Sequence, residues 1–374
     1  MANITRPFLL SPAGKDYIWG GRRLKDDFGK DIDLTPLAET WECSTHPDGI
    51  SKVAGTSVSD ATGCLIGENE QPFDKPLFLT DLIRRHPEVL GTHPQQTEAG
   101  RLPILVKLID AADRLSVQVH PSDEYAKAHE NGSLGKTEMW YVMDAEPGAQ
   151  LVYGFSEDMS GEKLERALAS GTIEKYLQYV PVQRGDVFFI QPGTVHAIGA
   201  GILLAEIQES SNLTYRLYDY DRLGKDGKPR ELHVAKALDV VNRRASTEPR
   251  QPLRVLRYQP GYASEFLCRC KYFQVERVLL NTSRIRPMAP YRTGSTSFEV
   301  LLCIDGCGTI FWEEAKVGES ASLQRSGEVQ KHRPSSSQQG DGYLPFFKGD
   351  CIFIPANSVE MRIHGQGEML RIRC

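Results

Sequence analysis

The chain has 374 residues, 40% hydrophobic and 25% charged, an ordinary globular composition with length enough for one large core or, better, two domains. Its 44 basic and 49 acidic residues leave a formal charge of −5, which gives no global footprint for nucleic acid or an anionic membrane surface, so an anionic ligand has to be met by a local basic cluster. No apolar run approaches a membrane span and the start MANITRPFLLSPAG lacks the order of a secretory signal, so a cytoplasmic protein is expected.

In chain order, the first forty residues carry short strand signals broken by Gly and Pro, among them 17–21. Residues 37–44 alternate well enough for a strand. Residues 75–91 read as helical, with Leu79, Leu82 and Ile83 on one side and Pro87 breaking the pattern. Residues 105–110 form a strand with one basic residue, Lys107, inside an apolar run. Ser122, Asp123 and Glu124 open a short helix that Gly132 ends. Strands then dominate, over 140–143, 150–153, 187–191 and 202–208, with one helix near Leu164, Ala167 and Leu168. Val234, Ala237, Leu238 and Val241 have the i, i+3, i+4, i+7 spacing of an amphipathic helix.

Residues 247–260, rich in Pro and Arg, read as a linker that divides the chain into 1–248 and 249–374. Past it, a strand at 298–304 leads into a turn at Gly306-Cys307-Gly308 and a further strand at 309–312. Residues 333–342 read as a low-complexity surface loop within an insertion from Trp312 to Leu344. The chain closes on strands around 351–354 and 369–372. The eight cysteines show no CxxC spacing and read as reduced thiols, with Cys268 and Cys270 a strand pair rather than metal ligands.

Three segments together suggest one metal site: Val117-Gln118-Val119-His120-Pro121, Gly135-Lys136-Thr137-Glu138 and Pro192-Gly193-Thr194-Val195-His196-Ala197. Gln118 and His120 are two apart in a strand-like run, so their side chains leave the same face. Two imidazoles, a carboxylate and an amide oxygen form a mixed N/O set that suits zinc with a position left for water or substrate. A hydrogen bond to a ligand, without contact to the metal itself, is the other reading of Gln118.

A weak repeat accompanies the site. Residues 185–196, Gly-Asp followed by an apolar strand, a proline turn and a polar strand start, resemble 349–360. Two copies suggest two barrels of one kind. The second copy has Glu360 near the place of His196 and no QxH before it, so one metal per chain is expected, in the first barrel.

The repeat resembles a conserved motif of cupins, small antiparallel jelly-roll barrels. The longer string is similar to type I mannose-6-phosphate isomerases of the short bacterial form. The matching pieces are Trp19-Gly20-Gly21, Ala38-Glu39-Thr40-Trp41-Glu42, the three metal-site segments, Glu206-Ile207-Gln208-Glu209-Ser210-Ser211-Asn212, Thr214-Tyr215-Arg216-Leu217-Tyr218-Asp219 and Arg230-Glu231-Leu232-His233. They run in order from about residue 6 to 245 and more loosely beyond.

The resemblance implies a mainly β fold of two cupin-type jelly-roll barrels, with helices mostly on the N-terminal half. Residues 1–248 would be the catalytic domain and 249–374 a second barrel without a metal site. It implies interconversion of mannose 6-phosphate and fructose 6-phosphate with one zinc, held by Gln118, His120, Glu138 and His196. Arg216 falls on the family's active-site arginine, and Lys107 and Lys136 on lysines tied to substrate contact.

Such an isomerase removes a proton beside a carbonyl and holds the charge of an enediolate, for which zinc and a nearby cation are suited. Lys136 is also a candidate in proton transfer. Other readings stand for single residues: a snorkelling edge position for Lys107, and a salt bridge to Asp219 or Asp221 for Arg216. Two other functions are open, a phosphosugar-binding regulator without turnover and a metal-dependent cupin oxygenase, the latter disfavoured by Gln118 where an HxH motif has histidine. No nucleic-acid or membrane partner is expected.

Overall fold

The computed structural model describes residues 4–54, 76–94, 100–247, 249, 254–282, 288–313 and 341–374. Its antiparallel strands form three sheets. A six-stranded sheet runs in the order Val187–Ile190, Glu138–Ala145, Ile202–Glu209, Ile104–Ala111, Glu39–Cys43, Ala13–Lys15. A five-stranded sheet runs Tyr215–Tyr218, Val117–Val119, His196–Ala197, Gln150–Phe155, Leu177–Pro181.

Side-chain alternation decides what each face of these sheets meets. Val106 and Leu108, Met139 and Tyr141, and Ala205 and Ile207 point to one face of the six-stranded sheet and share a core with Leu267, Phe298, Val300, Phe353 and Leu370 from the C-terminal half. The opposite parity, Ile109, Trp140, Val142 and Leu204, packs against Leu151 and Val180 of the five-stranded sheet. The two sheets thus enclose one core, and the six-stranded sheet is covered on both sides. That is why Ile104–Ala111 and Ile202–Glu209 are buried at every position.

The outer face of the five-stranded sheet, with Val117, Val119, Tyr215 and Leu217, is covered by Leu164 and Ala167 of the helix Gly161–Ala169 and by Ala237 of the helix Val234–Val240. The α-helices of the described residues all lie in the N-terminal half.

The third sheet holds ten strands, most of them from the C-terminal half, and takes in Phe8–Ser11 and Lys52–Val53 from the beginning of the chain. Phe8–Ser11 pairs with Cys351–Ile354. The N-terminal segment therefore ties the two halves together by backbone hydrogen bonds as well as by the shared core.

Several expected elements differ in detail. The helix expected over 75–91 is Leu79–Arg85, and Pro87 ends it and starts a separate 3₁₀ turn, Pro87–Leu90. Residues 17–21 form isolated bridges at Gly20 and Gly21 rather than a strand. The end of the expected linker is a strand, Arg257–Gln259, while 248 and 250–253 lie outside the described residues.

The turn expected at Gly306-Cys307-Gly308 is not one. A single strand, Glu299–Glu313, runs through it, paired with the long strand Met361–Arg373. Gly306 stands opposite Gly367 and Gly308 opposite Gly365. A Cβ on Gly306 would lie 2.1 Å from the Gln366 carbonyl, so these glycines allow close approach of two strands rather than a reversal. Most of the expected insertion, 314–340, is outside the described residues, and its end forms the strand Asp341–Phe347.

Candidate metal centre

Register brings the candidate residues together. Gln118 lies on the inward face of Val117–Val119, opposite His196 on one neighbouring strand and Arg216 on the other. Across the barrel, Lys107 stands between Trp41 and Glu206, and Glu206 between Lys107 and Trp140. Glu138 stands between Ile190 and Gln208. Each is inward because its neighbours one residue away belong to the outward cores.

His120, Glu138 and His196 are buried and offer ligand atoms all within 4.8 Å of one another. His120 Nδ1 is 2.9 Å from the Leu213 carbonyl and His196 Nδ1 is 2.8 Å from the Thr194 carbonyl. A carbonyl only accepts, so each imidazole places its proton on Nδ1 and leaves a lone pair on Nε2. Those two Nε2 atoms face each other at 3.1 Å.

Glu138 Oε1 is 3.2 Å from His196 Nε2 and 3.7 Å from His120 Nε2, and it accepts no hydrogen bond. The Gln118 amide lies 3.3 Å from His196 Nε2 and, turned so that its oxygen faces the cluster, completes a four-donor set. Lone pairs converging without a proton between them fit a small divalent cation, and this N/O mixture fits zinc. Burial pushes His196 down to about 4 and His120 well below its ordinary value, which keeps both rings in the neutral, ligating form.

Behind this set lies a buried charge cluster. Lys107 Nζ is 3.0 Å from Glu206 and 3.7 Å from Glu39, and Lys136 Nζ is 2.7 Å from Glu138 and 3.5 Å from Glu206. Burial drives Glu206 upward, but Lys107 and Lys136 outweigh it and hold the carboxyl at about 2. Burial also raises Glu138, to about 7, against the pull of Lys136. Lys107 is buried yet raised, its desolvation overcome by Glu206 and Glu39. The snorkelling reading of Lys107 is thereby replaced by a three-membered ion cluster inside the barrel.

Arg216 does not make the salt bridge to Asp219. Asp219 is taken by Arg222 at 2.7 Å and by Arg230 Nε at 2.7 Å. Arg216 donates from Nε to Ser116 Oγ at 3.3 Å and from a terminal nitrogen to the Glu231 carbonyl at 2.7 Å. It faces a cavity of about 270 Å³ whose wall also includes Tyr17, Glu39, Lys107, Gln118, Lys136 and Glu206. Larger hollows lie beside Trp312 and Arg362, at about 680 Å³, and beside Thr45 and Ser211, at about 620 Å³. Neither is lined by Gln118, Lys107, Lys136 or Arg216, so chemistry rather than size selects the smaller one.

Glu206, Glu39, Ser116 and Arg230 also belong to this cavity, and motif reading had given none of them a role. Glu206 was open to inference. A lysine in an apolar strand needs a buried carboxylate, and Glu206 has the inward parity of Ile202 and Leu204 on the adjoining strand.

The chain is similar to known proteins over nearly its whole length. A family model described as phosphomannose isomerase type I, catalytic domain, matches residues 8–144. The chain is 33% identical over 367 residues to the mannose-6-phosphate isomerase ManA of Bacillus subtilis (strain 168), covering 98% of each. It is 40% identical over 238 residues to a mannose-6-phosphate isomerase of Streptococcus mutans serotype c, covering 64% of this chain and 68% of the relative. The crystal structure of a mannose 6-phosphate isomerase from Bacillus subtilis superposes with a TM-score of 0.77 at 30% identity, covering 98% of this chain and 99% of that one.

Proposed function

Since the chain belongs to the mannose-6-phosphate isomerase family, we propose that it interconverts mannose 6-phosphate and fructose 6-phosphate in the cavity beside His120, Glu138 and His196, using one zinc held by these residues and Gln118. The observation that carries the site assignment is the pair of Nε2 lone pairs meeting at 3.1 Å beside an unbonded carboxylate oxygen. Hydrogen bonding among protein groups leaves that arrangement unsatisfied, and a bound cation satisfies it.

Zinc bound there supplies a Lewis acid for the negative charge that builds on the sugar oxygens at C1 and C2. The chain's own residues do the rest. Arg216, held by Ser116 and the Glu231 carbonyl, presents fixed N–H donors toward the same charge. Lys136, beside Glu138, is the second cation at the reacting end and our candidate in proton transfer. Lys107 and Lys136 contact the substrate, with Glu206 fixing both ammonium groups.

We assign catalysis to residues 1–248 and a metal-free supporting role to the barrel of 249–374. In support, Glu360, the counterpart of His196, has a side chain 86% exposed beside Arg292. No helix of the described residues is long and apolar enough to cross a membrane. We place the enzyme in the cytoplasm, where phosphorylated sugars are formed.

The test is equilibration of the two sugar phosphates from either side by the zinc-loaded protein. Both should reach the same mixture. Binding of both without interconversion would identify a phosphosugar-binding regulator and defeat the proposal.

A further inference from the structure

Resting on the isomerase reading, we infer that Tyr272, from the C-terminal half, is a positioning residue for the reaction: it holds Asp123, which together with Glu209 fixes the segment that carries Lys136 into Glu138. The Tyr272 hydroxyl donates to Asp123 Oδ2 at 2.6 Å. Tyr272 lies between the paired strands Tyr262–Arg269 and Gln274–Asn281 of the second barrel, so this contact reaches across the two halves.

Asp123 Oδ1 accepts from the Gly135 amide at 3.0 Å, and Glu209 Oε1 accepts from the Thr137 amide at 2.7 Å. Lys136 N donates to the Pro121 carbonyl at 3.1 Å, and Glu209 N to the Thr137 carbonyl at 3.0 Å. Three consecutive residues are thus stitched by side chain or backbone to the chain that follows His120 and to the end of the strand that bears Glu206. Gly135 is pressed so close that a Cβ would lie 2.5 Å from the Asp123 amide. The segment cannot shift without moving Lys136, whose ammonium is 2.7 Å from Glu138 and 3.4 Å from His120 Nε2.

The two carboxyls act as a pair. Glu209 is buried, and its Oε2 accepts no hydrogen bond. Burial, and secondarily Asp123, raises Glu209 to about 8, so near neutral pH it holds a proton it can share with Asp123. Tyr272 then supplies the outer donor to a charged acceptor, the stronger kind of hydrogen bond. Lys271 Nζ is 3.6 Å from the same oxygen but its side chain is 78% exposed, so it contributes little.

The experiment compares full-length, zinc-loaded parent, Tyr272→Phe, Asp123→Asn, the double variant and Lys271→Met. It measures kcat, KM, zinc content and melting temperature on each preparation. Because small displacements of a positioned group cost rate steeply, Tyr272→Phe should lower kcat by about tenfold with KM within about twofold and zinc retained. The double variant should be no slower than Asp123→Asn alone, since Tyr272 acts through Asp123, and Lys271→Met should match the parent.

A Tyr272→Phe enzyme with parental kcat per bound zinc, whatever its melting temperature, would overturn the inference, as would losses that multiply in the double variant. A zinc-loaded parent that fails to isomerise would overturn the functional reading, and this inference with it.

Discussion

Of the cations lining the cavity, Lys107, Lys136 and Arg230 each face a carboxylate, while Arg216 makes no ion pair among the described residues. That difference separates two kinds of variant. Arg216→Ala removes donors aimed at charge that develops during reaction, so kcat should fall by roughly a hundredfold with zinc and melting temperature nearly unchanged. Arg216→Lys should recover only part, because a point charge does not reproduce a planar fork of donors. Near-parental turnover with lowered stability would assign Arg216 a structural role instead. Lys107→Met leaves Glu206 and Glu39 facing each other without their shared cation inside the barrel. Stranding buried charge should destabilise the fold by about 3–5 kcal/mol, read by denaturant unfolding; an unchanged midpoint would show that the cluster does not support the core. That the QxH pair, Glu138 and His196 come together was legible in the sequence, from strand parity and turn position. Glu206 was harder to find because its partner sits on another strand, and only the register puts them side by side.

Most strands and helices were legible at the level of elements, since the apolar periodicities that define them are the ones the cores use. The misread turn at Gly306 shows the limit of local reading: the same Gly-x-Gly that opens a hairpin also lets two long strands pass closely, and the facing glycines at 365 and 367 settle which. A second element-level consequence concerns the junction of the strand Ile202–Glu209 with the helix Asp123–His129. Burial raises Glu209 from an ordinary 4.5 to about 8, so the folded state keeps a proton that the unfolded chain releases. Its stabilising contribution is full below about pH 4.5 and is lost as pH rises through about 8. Asp123 titrates lower than usual despite its burial, chiefly through Tyr272 and the Gly135 amide, so its own window lies in acid and does not overlap. Glu209→Gln keeps an acceptor for Thr137 and a donor for Asp123 but cannot ionise. Its melting temperature relative to the parent should therefore climb between pH 5 and pH 8, and a difference that stays constant with pH would contradict the shared-proton account.

At the scale of the molecule, the six-stranded sheet buries one face against the five-stranded sheet and the other against the C-terminal half. The repeat pointed to two barrels, but it could not reveal that Phe8–Ser11 joins the sheet of the second, because strand pairing over such a separation leaves no local signature. Residues 1–248 expressed alone should expose the apolar face of Val106, Leu108, Tyr141 and Ile207 and strip that first strand of its partner Cys351–Ile354, so the fragment should aggregate or bind hydrophobic dyes. A soluble, cooperatively unfolding fragment would show that the halves are independent. In the proposed enzyme His120, Glu138 and His196 form, with Gln118, one working metal centre. Its most direct test is turnover of mannose 6-phosphate while chelated, metal-free protein is titrated with zinc. Activity should start near zero, rise in proportion to bound zinc and level off at about one zinc per chain. Full activity without metal, or a plateau reached only at two zincs per chain, would rule out a single working metal centre.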